Sequence, residues 1–465
     1  MTHPATPATA LSAPKQTSWQ KIVSWAMWDW GTQPFNTVIT TFVFSVYMTS
    51  AAFGDTNFTS QALSLATMLG GLAVAVAAPV LGQTVDRNGR TVGVLRSMTW
   101  LLATISAALF FVKPDPAYLW LGLGLLAVGS VISEVAGVNY NSLLVKVAGS
   151  ANVGRVSGFG WGMGYLGGIV VLLLIYFLFI QPEVGLFGVS GAEAMDIRVS
   201  MVVCGLWTLL FTIPTFVNLR DSPHPHRRPI PGIERWQGRR PELVWCWLAP
   251  VVASYGELAD TIRRLWRVST HTVYFLLASA LFRDGLAGVF AFGAVIAAGT
   301  FGFTSAEVII FGAVANIVAG VSTIAFGLLD DRIGPKRVIM VSLTTLVAMG
   351  VVIFWLHEGG KQVFWVAGLI MCLFVGPAQS ASRSFLARLI PAGKSGEVFG
   401  LYATTGRVVS FLSPAFFGLA IGLGAAVTGD TNTQYWGILG VALVLLAGLV
   451  VMIPVKEHHE HTPLR

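Results

Sequence analysis

Long runs of apolar residues, repeated along nearly the whole chain and almost free of Lys, Arg, Asp and Glu, constrain this sequence more than any other feature. A stretch of roughly 20 such residues reads as a helix that crosses a bilayer. The composition agrees. Hydrophobic types make up 54% of the 465 residues and charged types 11%, against about 25% charged in soluble domains. Glycine, at 51 residues, suits close helix packing in lipid.

Twelve spans are read, at about 22–48, 60–82, 92–112, 117–141, 156–180, 197–219, 272–300, 305–328, 337–355, 363–385, 398–425 and 434–454. The fold class expected is an all-α polytopic membrane protein with 12 transmembrane helices in two six-helix bundles. Residues 1–21 form a tail, 22–219 the first bundle, 220–271 a linker, 272–455 the second bundle and 456–465 a second tail. Short-loop basic residues set the orientation. One side receives Lys15, Lys21, Arg87, Arg90, Lys146, Arg155, Arg332, Lys336, Arg337, Arg388, Lys394 and Lys456, the other little beyond Lys113, Arg198 and Lys361. Both termini are therefore expected in the cytoplasm, with the chain multi-pass in the cell membrane. The stretch Glu257–Arg267 reads equally as an interfacial amphipathic helix or as plain basic linker.

Several function classes fall away. The net charge of +7 sits in short turns between apolar runs, so membrane topology explains it better than nucleic acid does. Cys204, Cys246 and Cys372 lie far apart and form no metal or disulfide framework. The first twenty residues lack an apolar core with a small-residue cleavage site, so the first span is read as an uncleaved targeting signal. No phosphate-binding glycine loop is present. The histidines fall mostly in the tails and central loop and make no catalytic constellation. An enzyme, a cofactor and a metal site are not expected.

The halves repeat at three places in the same order. Gly82-x-x-x-Asp86-Arg87-x-Gly89-Arg90 returns as Gly327-x-x-x-Asp331-Arg332-x-Gly334-x-Lys336-Arg337. Ser142-Leu-Leu-Val-Lys146 before Gly154-Arg-Val-Ser-Gly158 returns as Ser384-Phe-Leu-Ala-Arg388 before Gly396-Glu-Val-Phe-Gly400, at the same spacing. Trp28-Asp29-Trp30-Gly31 echoes Phe282-Arg283-Asp284-Gly285. A parallel six-plus-six repeat places a substrate path between the halves.

The loop motif resembles the signature of the major facilitator superfamily. The run Trp28 to Phe44, the run Gly154 to Gly168, Phe282-Arg-Asp-Gly285 and Ser382 to Pro391 resemble bacterial relatives of the fungal vacuolar effluxer linked to autophagy, over roughly residues 22–455. The resemblance implies a secondary transporter, with amino-acid export as the favoured activity and spans one, four, seven and ten around the cavity. The chain departs from the wider pattern twice. Its fourth span carries Glu134 where many facilitators have Arg, and Gly164-Tyr-Leu-Gly-Gly168 lacks the proline of drug antiporters.

In the loop motif, Gly82 and Gly327 permit close helix approach, and Asp86 and Asp331 can face a helix N-terminus or an arginine across the halves. Arg87, Gly89, Arg90, Arg332, Gly334, Lys336 and Arg337 complete the candidate gate, and solvated turn charges are the simpler reading. Gly160, Gly164 and Gly168 form a stripe for static packing or sliding.

Charge inside a span costs at least about 2.5 kcal/mol at the bilayer centre, so each such residue asks for a role. Asp29, Gln33, Asn36 and Thr40 share one face of the first span, where Pro34 frees a carbonyl to bind something. Glu134 and Asn141 share a face of the fourth. Arg283 and Asp284 lie roughly 18–20 Å into the seventh. Asn316, Gln379, Arg383 and Arg407 follow in the eighth, tenth and eleventh. Three acids and three bases suit a zwitterionic or polar solute better than a bare ion. Two readings stay open: direct substrate contact, or a cytoplasmic gate of ion pairs formed by Asp29, Glu134, Arg383 and Arg407. Asn36 and Asn316 could instead bond between helices. Proton coupling needs a carboxylate that takes up a proton when its partner leaves, and Asp29, Glu134 and Asp284 are the candidates. The function expected is proton-linked transport of a small solute by a monomer in contact with lipid. Sugar, lipid-linked or drug export, a receptor or a membrane enzyme are the alternatives.

Overall fold

The computed structural model describes residues 18–54, most of 59–74, 90–149, 152–221, 263, 266, 270–303, 305–390, 395–429 and 433–456. Regular structure among them is helical, apart from one isolated bridge between Val184 and Ser190. The main helices are α1 (Trp19–Pro34), α2 (Phe44–Met48), α3 (Thr91–Ala108), α4 (Leu119–Ala148), α5 (Val153–Ile175), α6 (Met195–Asn218), α7 (Thr270–Gly299), α8 (Ser305–Ile333), α9 (Pro335–Trp355), α10 (Lys361–Leu389), α11 (Ser395–Val408), α12 (Leu412–Thr428) and α13 (Gly437–Met452). Ten helical segments among the described residues are long and apolar enough to cross a membrane. The expected second span is described only as a shorter apolar stretch, Leu65–Val74. The loop residues Gly82, Asp86, Arg87 and Gly89, the tails and most of the linker lie outside the described residues.

Several helices outlast their hydropathic runs. Helix α4 continues to Ala148, α8 to Ile333 and α10 to Leu389. Hydropathy marks where the bilayer ends, while Leu, Ala, Lys and Arg keep the helix going beyond it. Exposed Leu, Val, Phe and Trp cover the outer faces, among them Trp100, Phe111, Trp120, Leu210 and Leu419. A soluble surface would not carry such patches, and lipid accounts for them.

The expected first span is not one regular helix. Helix α1 runs into a π-helical segment, Phe35–Phe42, and then into α2. Pro34 has no N–H for the carbonyl of Trp30, one turn back. That carbonyl is taken by the protein itself: the indole of Trp207 on α6 donates to it at 3.3 Å. The wider π turn is satisfied by hydroxyls. Thr40 and Thr41 both donate to Asn36 O at 2.7 Å, and Ser45 donates to Thr40 O at 2.8 Å.

The eleventh expected span also breaks, between α11 and α12. Pro414 in the first turn of α12 cannot continue the preceding helix, for the same lack of an N–H.

Helices before residue 219 pack on one another, with α1 against α5 and α6 and α3 against α4 and α6. Those after residue 270 do likewise, with α7 against α13 and α10 against α8 and α9. Contact between the groups runs through α5 on α8 and α10, and α4 on α10 and α11. Gly158 and Gly327 set the spacing. A Cβ on Gly158 would lie 2.7 Å from Gly327 Cα, so only glycine permits this crossing.

Trp207→Phe keeps the ring packing and removes the bond to Trp30 O. It is expected to lower stability by about 1 kcal/mol, read as the thermal midpoint of the purified protein. In a Pro34→Ala background the helix supplies its own N–H, and the cost of Trp207→Phe should shrink toward zero. An equal cost in both backgrounds would contradict the assignment.

Candidate functional site

Arg383 is the centre of the polar interior. It sits on α10, 2% exposed, with every named partner on the other group of helices. Its Nε donates to Ser157 Oγ at 3.0 Å, Nη2 to Ser157 O at 2.6 Å, and Nη1 to Asn141 Oδ1 at 3.0 Å. Nη1 also lies 3.6 Å from Asp29 Oδ2. The rings of Trp25, Tyr140 and Trp161 surround the guanidinium at 5.1, 5.7 and 5.1 Å. A planar, weakly hydrated cation suits such an aromatic enclosure.

Asp29 is buried and has a second partner. Tyr140 donates its hydroxyl to Asp29 Oδ2 at 2.8 Å. Tyr140 is itself wedged between Trp25 and Trp28, each stacked at 4.3 Å. Trp25 donates to Tyr140 O, and Trp28 to Thr99 on α3. This packing fixes the tyrosine that fixes the aspartate. Gly160 on α5 makes the space, since a Cβ there would lie 2.5 Å from the Trp25 ring.

Two further contacts join the groups. Arg407 on α11 donates to Glu134 on α4 in an ion pair. Asp331, at the end of α8 beside the basic loop, accepts from Gly154 N at 2.7 Å and Arg155 N at 2.8 Å. These are the first N–H groups of α5, where a carboxylate meets the positive end of the helix dipole. Arg388 holds Asp331 at 2.8 Å and the buried Asp330 at 3.1 Å, and Ser384 donates to Asp330. Gly334 has φ 89°, which only glycine adopts without strain, and starts α9. Lys336 reaches Ile453 O at 2.8 Å, while Arg332 and Arg337 are exposed, as is Arg90 before α3. Together the Asp331, Arg383 and Glu134 contacts draw the two groups shut at and below the basic-loop end.

Other candidates are placed elsewhere. Arg283 and Asp284, neighbours in sequence, part company. Arg283 stacks over Tyr402 at 3.9 Å and donates to Tyr402 O at 3.0 Å. Asp284 accepts from Ser413 N at 2.6 Å, at the start of α12. Asn36 donates to Gln33 Oε1 at 3.3 Å and Asn316 to Gly312 O at 2.8 Å, so both bond within their own helix rather than between helices. Gln379 is half-buried one turn before Arg383. The stripe of Gly160, Gly164 and Gly168 packs on Trp25, Gln33 and Thr37 of its own group. It is Gly154, Gly158 and Gly162 that meet α8.

Sequence reasoning missed Tyr140, Ser157, Ser380, Trp25, Trp161 and Asp330. Two signals were present: the polar run Asn139-Tyr140-Asn141, and the hydroxyl-rich run Ser380 to Ser384 in an otherwise apolar span.

Comparison with known proteins fits this geometry. A family model described as vacuole effluxer Atg22 like matches residues 51–462. An uncharacterized MFS-type transporter, YxiO of Bacillus subtilis (strain 168), is 26% identical over 449 residues, covering 93% of this chain and 94% of that protein. Autophagy-related protein 22 of Coccidioides immitis (strain RS) is 27% identical over 277 residues, covering 57% of this chain and 43% of the fungal one. The chain thus spans under half of that relative's length. Among solved structures, the proton:xylose symporter XylE superposes with a TM-score of 0.70 at 13% identity, covering 94% of this chain and 95% of that one. A bacterial homologue of the iron transporter ferroportin, outward-facing, gives 0.63 at 15% identity, covering 93% and 98%. The fold is that of the major facilitator superfamily, and the molecule is a multi-pass membrane transporter rather than an enzyme.

Arg383→Gln removes the cation beside Asp29 and the fork that serves Ser157 and Asn141 together. It is expected to cost about 3 kcal/mol or more, the range for breaking a buried pair, and Asp29→Asn should recover part of that loss. Thermal midpoints of the two single variants and the double variant check the coupling. Asp331→Ala is expected to loosen the basic-loop end. With Cys246 replaced by Ser, a cysteine at Ser380 should then react several-fold faster with a membrane-impermeant thiol reagent, because two charge-assisted backbone bonds are lost.

Proposed function

The chain belongs to the Atg22-like vacuole effluxer family, and we propose that it is a secondary active transporter moving a small polar or zwitterionic solute by alternating access. Amino acids are the favoured cargo, following the family. Twelve spans in two six-helix bundles, residues 22–219 and 272–455, would rock about the central site as a monomer in the cell membrane. The excess of basic residues in the short loops supports a cytoplasmic position for the termini and for the closed end.

The observation that carries the reading is Arg383. One side chain from the second bundle takes its partners Asp29, Asn141 and Ser157 from the first. Such a contact persists only while that end is shut. Opening exposes the cation and the carboxylate to whatever occupies the cavity. The contact is also an interaction that two states of the protein do not share, which a switch requires.

The same geometry supports a coupling route. Asp29 and Glu134 each pair with an arginine of the other bundle. Separation takes the cation away, and the freed carboxylate is where a proton is exchanged. Asp284 is bonded within its own bundle and has no such change of partner.

Purified protein in sealed proteoliposomes, with an imposed pH gradient and a panel of amino acids, sugars and nucleosides, tests the proposal. Gradient-driven flux of at least one solute is expected. Asp29→Asn or Glu134→Gln should abolish accumulation while leaving exchange down a gradient, whereas Asp284→Asn should leave coupling intact. Accumulation undiminished in both Asp29→Asn and Glu134→Gln sinks the coupling route. No flux of any solute, with spectroscopic labels on α5 and α8 that never change separation, sinks transport itself.

A further inference from the structure

The two halves share one plan, with a charge exchanged at one place. Gly31 packs against Thr212 and Phe211 on α6, and Gly285 against Leu445 on α13. Each glycine is thus where the first helix of a half crosses the last. The repeat Trp28-Asp29-Trp30-Gly31 and Phe282-Arg283-Asp284-Gly285 therefore holds in space, and Arg283 occupies the position of Asp29. The other repeats set Ser382 where Tyr140 stands, and Tyr402 where Gly160 stands.

The substitutions compensate. In the first half a tyrosine on α4 fills the junction against glycine on α5. In the second the tyrosine comes from α11, and its hydroxyl pairs with Ser382 of α10 at 2.7 Å. In both, the tyrosine holds the charged residue of the first helix. Tyr140 donates to Asp29, and Tyr402 carries Arg283 on its ring and its carbonyl.

The charges differ in what answers them. Asp29 has Arg383. Arg283 has no carboxylate among the described residues: Asp284 turns to Ser413 N, and Glu134 is taken by Arg407. Only Nη1 of Arg283 makes a hydrogen bond to the protein among the described residues, and the side chain is half-buried. A lone cation within a span faces the bundle interior or a water-filled cavity, because facing lipid is too costly. Ser382 ties the two sites together, since it bonds the Tyr402 that carries Arg283 and precedes Arg383 in the chain.

We infer that Arg283 is the anion-binding group of the transport site, taking the carboxylate of the solute opposite Asp29, which takes its ammonium when Arg383 withdraws. The inference rests on the transport reading and adds to it the group that takes the carboxylate of the solute. Tyr402 is the positioning residue. Its ring orients the guanidinium, and its carbonyl occupies one nitrogen so that the remaining N–H groups face the solute.

Thermal-shift and equilibrium binding with the purified full-length chain provide the test. The probes are the twenty amino acids, then each binder's carboxamide, which lacks the acid, and its deaminated acid, which lacks the amine. Binding of at least one amino acid is expected, weakened at least about tenfold in the carboxamide, as for losing a charge-assisted hydrogen bond. Arg283→Gln should lose affinity for the amino acid by a similar factor and no longer distinguish it from the carboxamide. Arg283→Lys should fall between, and Asp29→Asn should weaken the amino acid but not the deaminated acid. The thermal midpoint of each variant without ligand reports whether it folds, and Arg283→Lys preserves the charge if Arg283→Gln does not. Equal binding of acid and carboxamide, unchanged affinity in Arg283→Gln, or no binding by any carboxylate overturns the inference. In those cases flux of another solute, or a label separation that changes between states, leaves the transport reading standing.

Discussion

A guanidinium buried as deeply as that of Arg383 must find its partners in the protein, and it finds them on the far side of an interface. That requirement organises the closed end. Ser157 and Asn141 must stand within 3.0 Å of it, which fixes α4 and α5 against α10. Three aromatic rings must enclose it, which fills the space beside Asp29. The backbones can come this close only because Gly158 faces Gly327. A half-made version of this network would leave a buried charge or a buried carboxylate unanswered, and both are costly. On the proposed mechanism the interface is then either shut with its partners satisfied or open with water and solute in their place. An intermediate separation is the least stable arrangement.

Helix ends contribute to the same switch. Asp331 caps α5 across the interface, while Asp221 caps α3 through Val92 N and Gly93 N within the first half. Both use a carboxylate against unsatisfied N–H groups. The difference is what each one joins. Asp221 ties helices within the first group, and Asp331 ties one group to the other. Arg388 and Ser384 keep the Asp330–Asp331 pair aligned from within the second bundle.

Much of this was legible in the sequence, and the part that was not has a common cause. Spans announce themselves because hydrocarbon demands apolar length. Asp29, Glu134, Arg383 and Arg407 stand out because charge is rare there. Their pairing is another matter. Tyr140, Ser157 and Trp161 are ordinary residues for an apolar helix, and only the fold brings them to Arg383. Pro34 showed that a carbonyl would be freed, yet its donor, Trp207, lies far along the chain. Arg283 and Asp284 are adjacent in the chain. On a helix neighbours point about 100° apart, since 3.6 residues make a turn, so one met Tyr402 and the other the N-terminus of α12.

The charge balance of the interior then bears on cargo. Asp29 with Arg383 and Glu134 with Arg407 are neutral pairs, and Asp284 is answered by a helix N-terminus. Of these interior charges Arg283 alone remains without an acid among the described residues, so the closed arrangement leaves one cation unanswered and no acid. If the bridge parts as proposed, Asp29 loses its cation as well. A zwitterion answers both and adds no net charge. A simple anion would fill one and leave Asp29 bare, and it would also carry charge against a membrane potential worth about 2.3 kcal/mol per 100 mV. An amine would fill Asp29 and leave Arg283 as it was. Of the three, only the zwitterion answers both Asp29 and Arg283 once Arg383 has withdrawn, so on the proposed mechanism it is the cargo whose binding favours opening.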